Sequence, residues 1–317
     1  ISENLLVEVR TSTLPSEYGE SIVLRVLNPK NLMELEHLGL RKDLYNILSK
    51  ELKKPNGMVA VAGPTGSGKT TTLYAFLMKI QNPEIKVITI EDPIEYHLKG
   101  ISQTQVDPDQ GYSFAKGLQS IVRQDPDVIL VGEIRDSETA KIALQASLTG
   151  HLVLSTIHAN DAAGSIPRLV DLGADITSIS SALKMVVGQR LVRLVCKKCS
   201  TMGKLSEELL TELKKGLKGI SKEVQIPKNL DKIHVAQVSE KGCKECNNTG
   251  YQGRKGIFEI FLVDSEMEKF LLKNPSVSSI KEQLMKKGMV TIYQSGLLEV
   301  VLGETTLEEV RKVVGEE

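Results

Sequence analysis

Apolar and polar positions change their spacing several times along the chain. Met58 to Ala62, Val87 to Ile90, Val128 to Val131 and Leu152 to Ile157 are short, unbroken apolar runs. Runs of this kind predict strands covered on both faces. Between them the apolar residues recur at helical spacing. Lys69 to Ile80 and Ser137 to Leu148 suit helices, and Phe114, Leu118, Ile121 and Val122 form a helical stripe. Residues 161–188 also read as helices. Short strands alternating with helices predict a largely parallel α/β sheet.

The pattern differs on either side of this block. Leu5 to Arg10 and Ser21 to Leu27 predict two strands, joined by a turn that contains Pro15 and Gly19. Asn28-Pro29 breaks the second strand, and the residues up to 38 read as a linker. Leu44, Ile47, Leu48 and Leu52 then recur at helical spacing. After Cys196 the alternation stops. Residues 200–242 hold a Lys/Glu-rich helical stretch and a weak strand region. Residues 264–317 predict amphipathic helices with turns near Pro275, Gly288 and Gly303. The divisions expected are therefore a β-rich remnant at 1–28, a linker at 29–38, an α/β core at 39–195, a cysteine-bearing subdomain at 196–250 and a helical subdomain at 251–317. The chain opens on Ile1 in strand-like sequence, which predicts further sequence upstream.

Composition narrows the function classes. Among 317 residues, 40 are basic and 40 acidic, which leaves no global pull toward nucleic acid or an acidic membrane. The longest apolar runs fall far short of a membrane span, and no signal peptide is visible.

Gly63-Pro64-Thr65-Gly66-Ser67-Gly68-Lys69-Thr70 fits G-x-x-x-x-G-K-[ST], the Walker A loop, with Thr71 following. Glycines let backbone N–H groups converge on phosphate oxygens, and the next helix aims its N-terminus at the same anion. Lys69 can reach the β- and γ-phosphates of ATP, and Thr70 can ligate Mg²⁺. Val128 to Glu133 is similar to a Walker B strand, with Gly132 where many such enzymes carry a Mg²⁺-binding Asp. Glu133 can orient or deprotonate an attacking water. Glu91, Asp92 and Glu95 surround Pro93; such crowding suits a cation or its waters, and equally an acidic loop in solvent. His151 and His158 bracket a strand, and each could be a packed structural residue. His158 lies at the strand's C-terminal end, where a γ-phosphate sensor would sit. Cys196/Cys199 and Cys243/Cys246 form two C-x-x-C pairs. Four thiolates match tetrahedral Zn²⁺ and leave no open position, which predicts a structural site. By residue type alone, Arg10 and Arg25 read as solvated surface residues.

In this order, the Walker A loop, the Glu91–Glu95 acids, Gly132-Glu133-Ile134-Arg135-Asp136, the His151–His158 segment and the paired C-x-x-C resemble the secretion ATPases that drive type II secretion and type IV pilus assembly. Arg10 to Pro15, Gly19-Glu20 and Arg25 resemble that family's arginine-bearing hairpin. The resemblance implies a RecA-like P-loop core within a homo-hexamer. It implies a cytoplasmic motor at the inner membrane, docked on a platform protein and a membrane-anchored adaptor. It makes Glu133 the general base, with Glu91 and Glu95 arranging water and Mg²⁺, and makes Arg10 and Arg25 contacts of the γ-phosphate. The four cysteines favour the assembly and secretion branch over pilus retraction. Two other classes remain open at this stage. RecA-like motors also translocate nucleic acid, although zero net charge, five Phe and no Trp argue against a stacking channel. A non-catalytic zinc scaffold is the other, opposed by the presence of both Lys69 and Glu133.

Overall fold

The computed structural model describes residues 8–27, 32–221, 224–227 and 229–315. The expected strand residues Leu5 to Val7 and the linker residues 28–31 lie outside them. A hairpin of β1 (Glu8–Ser16) and β2 (Gly19–Leu27) comes first, with Arg10 directly opposite Arg25. Glu17 and Tyr18 make the turn, so Pro15 lies in the ladder opposite Glu20. Gly19 closes the turn at φ 121°, a conformation open to glycine at little cost.

The core elements follow as α1 (Lys42–Glu51), β3 (Gly57–Ala62), α2 (Lys69–Ile80), β4 (Val87–Glu91), β5 (Ser102–Gln105), α3 (Phe114–Val122), β6 (Val128–Val131), α4 (Ser137–Leu148) and β7 (Leu152–Ile157). Next come α5 (Ser165–Asp171), α6 (Ile176–Ala182) and the long β8 (Leu183–Val195). The seven-stranded sheet runs β11–β8–β3–β7–β6–β4–β5, where β11 is Tyr251–Leu262. All its pairings are parallel except β11 against β8. Alternate residues of the central strands feed opposite faces. Met58, Ala60 and Ile129 join helices α3, α4 and α6 on one side; Val59, Val61 and Leu130 join α1 and α2 on the other. Burial on both faces is why these strands read as unbroken apolar runs.

Two expectations are corrected. Residues 183–188 are not helical but open β8, because Leu183 to Val187 fill the slot beside β3. Residues 251–262 do not belong to a helical segment; they form β11, which extends the main sheet. The strands β9 (Thr201–Lys204) and β10 (His234–Gln237) pair with each other, with α7 (Glu207–Gly216) between them. The C-terminal helices are α8 (Ser265–Leu271), α9 (Val277–Lys286), α10 (Ile292–Val301) and α11 (Leu307–Val314). A third apolar cluster unites α7, α10 and α11 with Val192 of β8 and Ile257 of β11.

Candidate nucleotide site and metal centre

The Gly63–Thr70 loop leaves the C-terminal end of β3, the edge where open α/β sheets place ligands. Gly68 caps α2 at φ 89°, and a Cβ there would lie 2.8 Å from Gln189 Nε2. Most other helices are closed by a side chain; Ser113, Asp136 and Thr291 each accept an amide of the first turn. No side chain caps α2. Its first amides therefore face the loop, ready for an anion. Ser67 Oγ is buried and has no hydrogen-bond partner. Lys69 is only 8% exposed, and its Nζ donates to the Gly63 and Pro64 carbonyls, each at 2.9 Å. Burial lowers its pKa, and the Glu133 carboxylate opposes that shift. A glycine cradle, an uncapped helix, an orphaned hydroxyl and a buried cation together fit the phosphates of a nucleotide.

Glu133 follows β6 on the same edge. Arg135 Nε lies 2.5 Å from its carboxylate and His158 Nε2 lies 3.4 Å away. Burial and the Lys69 charge lower the His158 pKa, while Glu133 pulls it up. His151 is elsewhere, with Nδ1 3.0 Å from the Ala146 carbonyl. The strand thus separates a structural histidine from one that faces the acid. Gly132 has a local reason as well, since a Cβ would sit 3.3 Å from Glu91 Cα and from the Ile90 carbonyl. An aspartate at that position would push against β4.

The acidic loop after β4 splits into distinct environments. Glu91 is buried and accepts hydrogen bonds from the Tyr74 hydroxyl, Thr89 Oγ1 at 2.6 Å and Gln103 Nε2 at 3.1 Å. Three donors engage it fully, so it braces the loop. Burial and Glu91 raise the Tyr74 pKa. Glu95 is hydrogen-bonded to Thr70. Burial raises its pKa, and Arg10 and Arg25 pull it down. Arg10 Nη2 also donates to the Ile94 carbonyl at 2.6 Å. The hairpin arginines, Glu95 and Thr70 thus gather beside the loop that carries Lys69.

Several residues that the sequence pattern did not single out line the same place. Gln189 accepts from Thr72 Oγ1 at 2.7 Å and holds the first turn of α2. Arg190 Nη2 donates to the Asn160 carbonyl, just beyond His158. Both follow from β8 lying beside β3, with Gly188 opposite Ala62.

The cysteines meet where β8 ends and β11 begins. Val195 pairs with Tyr251, and the Cys196 amide donates to the Gly250 carbonyl at 2.9 Å. Cys196–Cys243, Cys199–Cys246 and Cys243–Cys246 sulfurs are each 3.8 Å apart, and all four lie within 4.8 Å of one another. Zinc–sulfur bonds of about 2.3 Å in a tetrahedron require sulfur separations near 3.8 Å. Burial opposes ionisation of Cys246, but the Cys243 and Gly250 amides donate to its sulfur and push the thiol down to about 6. Burial and neighbouring sulfurs push Cys199 up to about 12. A cation of soft character would take up all four sulfurs.

The family model for type II/IV secretion system proteins matches residues 1–312. The chain belongs to that family. It is 44% identical over 312 residues to type II secretion system protein E of Aeromonas hydrophila, covering 98% of this chain and 59% of that protein. It is 44% identical over 306 residues to type IV pilus assembly ATPase PilB of Thermus thermophilus, covering 96% of this chain and 33% of the relative. The chain therefore spans well under two thirds of these relatives. Among solved structures, the pilus retraction motor PilT with bound ADP superposes with a TM-score of 0.67 at 27% identity, covering 96% of this chain and 73% of that one. The RecA-like core expected for this family is present, with the cysteine cluster beside it. These relatives give no support to a nucleic-acid translocase.

Proposed function

We propose that this chain is the ATP-hydrolysing portion of a hexameric motor for type II secretion or type IV pilus assembly. What carries the reading is the convergence of Lys69, Glu133 with His158, and Glu95 with Arg10 and Arg25 around one uncapped helix. Residues 63–71 would wrap the phosphates of ATP. Lys69 would exchange two carbonyl acceptors for phosphate oxygens, a replacement of like by like. Thr70 would hold Mg²⁺, which would supply charge neutralisation to the phosphates. Glu133 would take the proton of the attacking water. His158 would stay neutral beside it and orient that water or the γ-phosphate. Arg10 and Arg25, on one face of the hairpin, would offer paired donors to the γ-phosphate from outside the core. Glu95 would order the water and metal side, and Glu91 would brace the loop that carries it.

Zn²⁺ would bind the four cysteines as a structural ion. Motor partners would be other copies of this chain, an inner-membrane platform protein and a membrane-anchored adaptor. No helix among the described residues is long and apolar enough to cross a membrane. Attachment to the cytoplasmic face of the inner membrane would run through those partners. The deciding experiment compares wild type with Glu133→Gln for binding of labelled ATP and for phosphate release. The variant should bind ATP and turn over about 10²- to 10⁴-fold more slowly, because an amide accepts no proton. Wild-type turnover by Glu133→Gln would overturn the role given to Glu133.

A further inference from the structure

The least expected charge in the molecule is Glu259. It lies in the middle of β11, between Ile257-Phe258 and Ile260-Phe261, and is only 2% exposed. Room for it exists because its partner on β8 is Gly188, where a Cβ would come within 2.6 Å of Glu259 Cγ. The carboxylate is divided between two places. Oε1 accepts the Ala162 amide at 2.5 Å, and Oε2 accepts the Ile292 amide at 2.9 Å. Ala162 lies inside the loop of residues 158–164 that begins at His158; Ile292 is the first residue of α10. Arg190 holds the same loop at the Asn160 carbonyl. Burial raises the Glu259 pKa, and the two amides oppose it.

A buried carboxylate is costly unless donors satisfy it. An apolar side chain here would leave the Ala162 and Ile292 amides without this acceptor, so the acid has a bonding role that packing alone does not supply. Among the described residues, the acid is the hydrogen-bonded link between two regions: the loop that positions His158 against Glu133, and the first turn of a C-terminal helix. We infer that Glu259 is a positioning residue that links the His158 loop to α10, so that nucleotide-dependent movement of that loop is passed to the C-terminal helices. The inference rests on the ATPase reading for the meaning of that movement. It differs from it in where it can fail.

The test uses the full chain and a non-hydrolysable ATP analogue. Amide hydrogen exchange is followed over residues 289–296 with and without the analogue. In wild type, the analogue should change exchange at the start of α10. Glu259→Gln keeps the shape but has only one acceptor oxygen, so it must give up one of the two amides. It should bind the analogue within about threefold of wild type, lose the α10 response and hydrolyse ATP about tenfold more slowly. Because Glu259 acts through His158, the turnover losses of Glu259→Gln and His158→Ala should not multiply in the double variant. If Glu259→Gln does not fold, Ile292→Pro serves instead. Proline at the first helical position removes the amide that Glu259 accepts and keeps an apolar, though smaller, side chain in the cluster around Ile292, and Thr291 already has the extended backbone a following proline requires. It too should lose the α10 response. A response that persists in the folded variant, no response in wild type, or losses that multiply would each overturn the inference. A wild type that binds the analogue without turning over ATP would instead count against the ATPase reading, and the exchange comparison would still stand.

Discussion

The nucleotide cleft and the cysteine cluster are built on opposite principles. Cleft residues come from the ends of β3, β4, β6 and β7, from the middle of β8 and from a hairpin outside the sheet. They satisfy one another with replaceable partners: Lys69 on carbonyls, Glu133 on Arg135 and His158, Arg10 on a carbonyl. The cysteines come from one end of a single antiparallel pair, and their sulfurs lie against one another. On the proposed function, one site would exchange its contacts in every cycle. The other is arranged to keep them.

The contrast can be broken most forcefully at the arginines. Arg10→Ala and Arg25→Ala should each lower ATP turnover by about 10³-fold or more, with ADP affinity nearly unchanged. The double variant should be little worse than either single one, since both guanidiniums serve one phosphate. Wild-type rates in both single variants would make the hairpin a bystander. Next in size is the metal. Protein purified without chelators should contain zinc, whose binding can contribute roughly 10–16 kcal/mol to local folding. Chelation, or Cys246→Ser, should raise hydrogen exchange over 196–250 and leave binding of labelled ADP intact. Loss of nucleotide binding together with the metal would show that the two regions are not separate.

The smallest effect concerns His158. Its pKa lies below the ordinary value near 6.5, so below that pH the unfolded chain holds the proton more tightly than the folded chain. Stability should therefore fall as pH drops through 6.5, and His158→Ala should flatten part of that decline in urea titrations. Because the side chain is partly exposed, the change should be modest. An identical pH profile in the variant would mean that His158 titrates as it does in the unfolded chain.

Much of the cleft was legible because its chemistry uses rare patterns. The Walker A loop, Glu133 at a strand end and the C-x-x-C pairs declare themselves by spacing. Gln189 and Arg190 did not, because Leu183 to Val187, apolar but for Lys184, shows no clear period and continues a helical stretch. An apolar run of that length suits strand or helix until its neighbours are known. The polar strand β5 escaped for the opposite reason: at the sheet edge, Ser102 to Gln105 need little apolar surface. Glu91 looked like a metal-side acid, yet Tyr74 and Gln103, distant in sequence, occupy it. Glu259 did leave a trace, a lone acid inside a β-prone apolar run.

The hairpin has a consequence for how such a molecule would behave in different buffers. Arg10 and Arg25 face each other across the ladder, and like charges so placed repel. Glu95 offsets that repulsion from the core side. These groups are reached by solvent, and mobile ions shorten their mutual field to about 10 Å at 0.1 M salt. The hold of the hairpin on the core therefore carries an ionic-strength dependence of its own, apart from any nucleotide. Turnover compared between a dilute buffer and a cell-like one would mix two quantities, the rate of cleavage and the fraction of hairpins already seated.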